Sequence, residues 1–266
     1  MFGAIIGDVQ GSRFERKNCK NFNFKNFTSK SHFTDDTVMT IAVAKTMLKN
    51  EPIENDFKSN FLEYGNKYFD VGYGKAFRTW LKEDDPQPYN SWGNGSAMRV
   101  SPIGFIAKDI KDALYYSKLS AMPTHNHIEG IKGAQAVASV ISLSRSGKNK
   151  KYIKTFIEYA FKYDLKRKYT DIIKDYKFQV SCQKSVPESI IIFLQSDSFE
   201  DAMHKAIMLG GDTDTIASMV GAMSQSYYKT IPKQWINKTL DRLPEDFIYI
   251  IKQFEQILEK EYRVLI

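Results

Sequence analysis

From residue 37 to 48 the run Val38, Ile41, Ala42, Lys45 and Leu48 mixes apolar and small residues at the three- and four-residue spacing of one face of an α-helix. Segments 130–144 and 215–228 behave alike, and all three are rich in Ala, Gly, Ser and Thr with few charges. Helices that are small and apolar on every side pack in the middle of a helical domain, not on its surface. Segments 152–163, 199–209 and 235–258 also read as helices, the last broken at Pro244, whose ring and missing N–H do not fit a helix interior. No series of alternating strands appears. The pattern predicts an all-α fold, one multi-helical domain spanning residues 1–266.

Between these segments the chain turns polar and rich in Gly, Pro, Asn and Asp at 70–74, 84–95 and 121–129, which predicts loops crossing one face of the domain. The stretch 17–30, KNCKNFNFKNFTSK, is compositionally biased yet carries three Phe, and reads as an ordered irregular loop or flap. At the amino terminus Gly3, Gly7 and Gly11 stand four residues apart, a smooth helical stripe against which another backbone can lie closely. That spacing indicates packing, not catalysis.

Composition narrows the class. The 266 residues are 42% hydrophobic and 14% aromatic, ample for a buried core. Cys19 and Cys182 are too few and too far apart for a disulfide framework or a zinc site, which fits a reducing compartment. No apolar run approaches the roughly 18 to 20 residues of a membrane span, and no basic-then-apolar leader opens the sequence, so the expectation is a cytoplasmic protein away from membranes. The formal charge is +7. Much of the excess lies in 145–184, where lysines alternate with aromatics. A nucleic-acid surface would look like this, but no named nucleic-acid motif accompanies it, and solvated faces of amphipathic helices are the preferred reading.

The candidate chemistry sits at two helix starts. Thr34-Asp35-Asp36-Thr37 and Gly211-Asp212-Thr213-Asp214-Thr215 each precede a small-residue helix. Taken singly, either is most simply a cap, since Asp and Thr accept hydrogen bonds from free N–H groups at a helix start. Together they exceed that need. Two carboxylates plus hydroxyls in each cluster, carried inward by apolar helices, would repel one another unless cations neutralised them. Hard divalent ions take such all-oxygen sets. Glu15, just past the glycine stripe, is by itself an ordinary surface acid.

Five separated motifs, GAIIGDVQGSRFE, FTDDTVM, SWGNGSAMRVSPIG, THNHIEGIKGA and LGGDTDTIASMVGA, make the chain resemble the ADP-ribosylglycohydrolase family from Gly3 to about Trp235. The resemblance implies an all-helical fold that binds two Mg²⁺ or Mn²⁺ ions beside a cleft for ADP-ribose. It implies metal ligation by Thr34, Asp35, Asp36, Asp212, Asp214 and Thr215, with Glu15 or Asp35 acting at the scissile bond. Gly72 and Gly74 match a loop offering N–H groups to the diphosphate. Ser91, Trp92, Gly93, Asn94 and Gly95 match a loop wrapping the ADP-ribose, with Trp92 placed to stack on adenine; without the family, Trp92 reads as a core residue beside a tight turn. His125 matches a histidine lining the cleft.

The implied activity is hydrolysis of the glycosidic bond between ADP-ribose and an acceptor on a protein, nucleic acid or small molecule, by a protein expected to act as a monomer. Segment 70–77 resembles the members acting on oxygen-linked ADP-ribose more than the arginine-specific ones. Segment 224–229, SQSYYK, departs from the small residues and glycine usual there, which questions local packing rather than the site. Two rivals stand beside this reading: a non-catalytic ADP-ribose-binding protein of the same fold, and a dinuclear phosphoesterase.

Overall fold

In chain order the helices are α1 (Phe2–Gly11), a 3-10 turn (Ser12–Phe14), α2 (Asp35–Met47), α3 (Glu54–Lys67), α4 (Lys75–Trp80), α5 (Gly95–Met98), α6 (Ser101–Ile106), α7 (Ile110–Ala121) and α8 (Ile128–Arg145). The second half adds α9 (Lys150–Phe161), α10 (Tyr169–Asp175), α11 (Cys182–Leu194), α12 (Phe199–Leu209), α13 (Thr213–Tyr228), α14 (Lys233–Leu240) and α15 (Glu245–Tyr262). This computed structural model describes residues 1–17 and 23–262. Among the described residues there is no β-strand; one isolated antiparallel bridge joins Gly93 to Ser181.

The glycine stripe sets the centre of the domain. A Cβ at Gly3 would stand 2.1 Å from the Gly221 carbonyl oxygen, and one at Gly221 would stand 2.0 Å from the Gly3 oxygen. Further along, a Cβ at Gly7 would meet the Ala217 oxygen at 2.1 Å, and one at Gly11 the Asp214 Cα at 2.7 Å. α1 and α13 therefore run backbone against backbone, a separation that any side chain at these positions would forbid. α8 lies against α13 as well, and its positions from Ala136 to Ser144 are all buried. The small-residue helices thus occupy the interior, as their composition requires.

The outer helices are amphipathic. α9 buries Ile153, Ile157 and Phe161 while Tyr152 and Tyr159 face solvent. Tyr163 and Tyr169 also join the core, so the aromatics of the basic 145–184 segment are divided between core and surface rather than gathered on one face. The departing segment 224–229 continues α13 to Tyr228 and packs: Lys150 Nζ donates to Tyr228 Oη at 2.8 Å. The described part of the 17–30 segment has no regular structure but is pinned by its aromatics, with Phe24 edge-on to Phe14 and His204, and Phe27 edge-on to Trp235. Cys19 lies outside the described residues; Cys182 is a buried free thiol. No described helix is long and apolar enough to cross a membrane.

Candidate functional site

α2 and α13 begin side by side, so the two acidic clusters, far apart in sequence, face each other. Asp8 explains how. This carboxylate, in the middle of α1 and fully buried, accepts the Thr34 N–H at 2.8 Å, the Thr34 hydroxyl at 2.7 Å, the Thr37 N–H at 3.1 Å and the Thr37 hydroxyl. It satisfies donors at the start of α2 from a different helix. Because α1 is already locked against α13, the Asp8 bonds bring Asp35 and Asp36 to Asp212 and Asp214.

Capping does not account for these acids. Thr34 is the α2 cap, accepting the Asp36 N–H at 3.3 Å. Asp36 instead receives the Thr215 hydroxyl on Oδ2 at 3.2 Å, while its buried Oδ1 has no hydrogen-bond partner. Asp212 occupies the cap position of α13 without making a cap bond; it accepts the Asn94 side-chain amide at 2.6 Å. Burial first, and then repulsion from neighbouring acids, Asp214 foremost for Asp36 and Asp212 foremost for Asp214, holds both well above the ordinary carboxylate range. Burial raises Asp35 too, with Asp8 and Asp212 adding to it, and burial raises Asp212 against the opposing Asn94 bond. Protein neighbours do not offset the charge the four acids would carry if all were ionised, so without a cation the protonated forms are favoured.

These acids form part of the wall of a cavity of about 650 Å³, within the size range of small-molecule sites. Glu15, Thr34, Asp35, Asp36, Asp212, Asp214 and Thr215 line it, and so do Gly72, Gly74, Ser91, Gly93, Asn94, Gly95 and His125. Glu15 is brought there by the turn after α1, where the next residue, Arg16, donates its N–H to the Gly211 oxygen at 2.9 Å. Its carboxylate accepts from Arg16 Nε at 3.2 Å. Gly72, at φ +114°, would place a Cβ 3.3 Å from Asp35 Oδ1, and the adjacent Val71 oxygen accepts the Asp35 N–H at 3.2 Å. The 70–74 loop therefore lies directly over the first acidic cluster.

Trp92 is the exception. It does not line the cavity: the residue is 54% exposed, its ring edge-on to His127, and in the chain it stands between the lining residues Ser91 and Gly93. This overturns the core reading of Trp92 and leaves it as an open aromatic face at the mouth. Tyr73, Tyr89 and Arg99 also line the cavity, inside predicted loops and a motif but with no role of their own assigned from sequence, and Phe178 lines it with no signal in the sequence. Asp8 had one: an acid on a glycine-lined helix has to be buried, and a buried acid needs partners.

The donor set suits a hard divalent cation by its chemistry, all carboxylate and hydroxyl oxygen with one buried oxygen on Asp36 lacking a partner. Among the described residues, no three His, Cys, Asp or Glu side chains are already gathered into a ready ion cage. The Thr215–Asp36 and Asn94–Asp212 hydrogen bonds occupy oxygens that an ion would share or take over.

A family model described as ADP-ribosylglycohydrolase matches residues 1–263. The chain is 25% identical to the ADP-ribosylhydrolase ARH3 of Homo sapiens over 88% of its own length and 86% of the relative's. It is 23% identical to the ADP-ribosylarginine hydrolase Tri1 of Pseudomonas putida (strain GB-1), over 90% and 72% of the two chains. A solved structure described as an ADP-ribosylglycohydrolase-related protein complex superposes with a TM-score of 0.74, at 19% identity, covering 97% of this chain and 95% of that one, which shows the fold to be shared.

Proposed function

This chain belongs to the ADP-ribosylglycohydrolase family, and on that premise we propose that it hydrolyses the glycosidic bond between ADP-ribose and an acceptor, with two Mg²⁺ or Mn²⁺ ions held by its paired acidic clusters. The observation that carries the proposal is the meeting of Asp35, Asp36, Asp212 and Asp214 in the wall of a single cavity that also presents Glu15 and the 91–95 loop. Four buried acids gathered where their ionisation is penalised are costly to build for packing alone.

In this reading Asp36, Asp214, Asp212 and Asp35, with the Thr34 and Thr215 hydroxyls, would hold the ions. Bound there, the cations would orient the hydroxyls of the distal ribose and polarise that sugar. Glu15, half-exposed beside the 211–215 turn, acts on the attacking water or on the positive charge that develops as the bond lengthens. Asp35 is the alternative for that role. The 72–74 and 91–95 backbones wrap the diphosphate and adenosine, where glycine lets main-chain N–H groups approach, and Trp92 offers its open face to the adenine at the rim.

A panel of conjugates tests this. The protein is incubated with ADP-ribosyl-arginine, ADP-ribosyl-serine, an ADP-ribosylated nucleic-acid end and a small ADP-ribose ester, each with Mg²⁺ or with EDTA. The expected result is metal-dependent release of ADP-ribose with its diphosphate intact from at least one conjugate. Release of AMP or phosphate would support a phosphoesterase instead, and no release from any conjugate would support a binding protein.

A further inference from the structure

Arg99, immediately after α5, is 1% exposed and makes no salt bridge among the described residues. Its guanidinium stands 4.1 Å over the Phe61 ring. One terminal nitrogen, Nη2, donates to the Ser120 oxygen at 2.7 Å and to the Thr124 hydroxyl oxygen at 2.9 Å. Thr124 Oγ1 has one further neighbour, His125 Nδ1 at 2.7 Å. The direction of each bond follows from chemistry. A guanidinium can only donate, so Thr124 Oγ1 accepts from Arg99. The hydroxyl proton then has a single acceptor within reach, the lone pair of His125 Nδ1. If Nδ1 carried the proton, two donors would point at one oxygen and the buried hydroxyl proton would have no acceptor, an arrangement that buried polar groups avoid.

We infer that Arg99 and Thr124 are positioning residues that fix His125 as the tautomer protonated on Nε2, so that the cavity presents an uncharged N–H donor to an oxygen of the bound nucleotide. His125 is 6% exposed and lines the cavity. Its Nε2 has no protein hydrogen-bond partner among the described residues and lies under the 93–95 loop: a Cβ at Gly95 would be 3.0 Å from it and one at Gly93 3.5 Å. Burial, and the Arg99 charge after it, holds His125 well below the usual imidazole range, which keeps the ring neutral. The opposite tautomer would turn a lone pair toward the cavity and repel an acceptor-only oxygen such as that of a phosphate.

The ligand half of this inference rests on the proposed function; the tautomer does not, and the test separates them. Imidazole ¹⁵N spectra are recorded on the full-length, metal-free and ligand-free protein near neutral pH, with His125 assigned by the signals lost in His125→Gln. The expected pattern is protonated Nε2 and unprotonated Nδ1. Thr124→Val should lose that pattern and weaken ADP-ribose binding about fivefold or more by calorimetry, and Thr124→Ser should restore both. A wild-type ring protonated on Nδ1, a charged ring, or an unchanged pattern in Thr124→Val would overturn the assignment. A changed pattern with unchanged ADP-ribose affinity would overturn the positioning role. Failure of the wild type to bind ADP-ribose would overturn the functional reading while the spectra still decided the tautomer.

Discussion

Asp8, in the middle of α1, accepts the hydroxyl of Thr34 at 2.7 Å across 26 residues of sequence. With the three companion bonds from Thr34 and Thr37, it ties the start of α2 to a helix that is already packed against α13. The geometry of the acidic site depends on this one carboxylate. Asp8→Ala should leave four donors without their acceptor and cost more than about 2 kcal/mol of stability. Asp8→Asn, which turns a donor toward donors, should cost nearly as much. Urea unfolding measures both; a loss below about 0.5 kcal/mol in Asp8→Ala would show that α2 is positioned by other contacts.

Gly7 and Gly74 give opposite expectations for the same substitution. Gly7→Ala would set a Cβ 2.1 Å from the Ala217 oxygen, forcing two backbones apart, and should destabilise by roughly 1–3 kcal/mol or prevent folding. At Gly74 a Cβ meets nothing within 4 Å and φ is −60°. Alanine there should be neutral or stabilise by about 0.4–1 kcal/mol through the unfolded chain. Thermal melts of the two variants are the check. Equal effects would contradict the account of the α1–α13 contact.

Much of this arrangement was legible beforehand, for reasons that can be named. The predicted helix 199–209 has the bounds of α12 because its apolar period is clean and its flanks are polar. The glycine stripe told of a backbone neighbour, though not which one. By contrast the sequence pattern does not predict α11. Pro187 stands inside it, where a local rule forbids helix, yet the buried run from Ser189 to Phe193 gains enough from packing to override that rule. Short helices such as α5, with four residues, carry no period to detect. In the site, the acids were visible as clusters because they are contiguous. Phe178 was not, since a lone residue becomes a lining residue only once the loops have folded around it, and Arg99, though inside the SWGNGSAMRVSPIG motif, shows its place beside Thr124 and His125 only in the fold.

Trp92 is expected to separate stability from binding. With the residue half-exposed, Trp92→Ala should change the melting temperature little. Affinity for ADP-ribose should fall by roughly 1–3 kcal/mol, the range for a base stacked on an aromatic. Calorimetry with ADP-ribose decides it; unchanged affinity would remove Trp92 from the binding surface.

Glu15→Gln preserves shape while removing charge. It should fold, bind ADP-ribose as the wild type does, and lose turnover by at least about 100-fold on whichever conjugate the wild type cleaves. Wild-type turnover in this variant would transfer the acid–base role to Asp35.

The central claim is that the two acidic clusters form one cation site, and the direct measurement is the thermal stability of wild type, Asp36→Ala, Asp214→Ala and the double variant, each with EDTA and with Mg²⁺. Wild type should gain stability with Mg²⁺ by mass action, about 2.7 kcal/mol at a concentration one hundred times the dissociation constant. Each single variant should lose most of that gain, the double variant little more, and the EDTA forms should match or exceed wild-type stability as repulsion around Asp36 and Asp214 is relieved. Losses that add independently and do not respond to Mg²⁺ would mean that each cluster serves only its own helix, and would contradict the shared site.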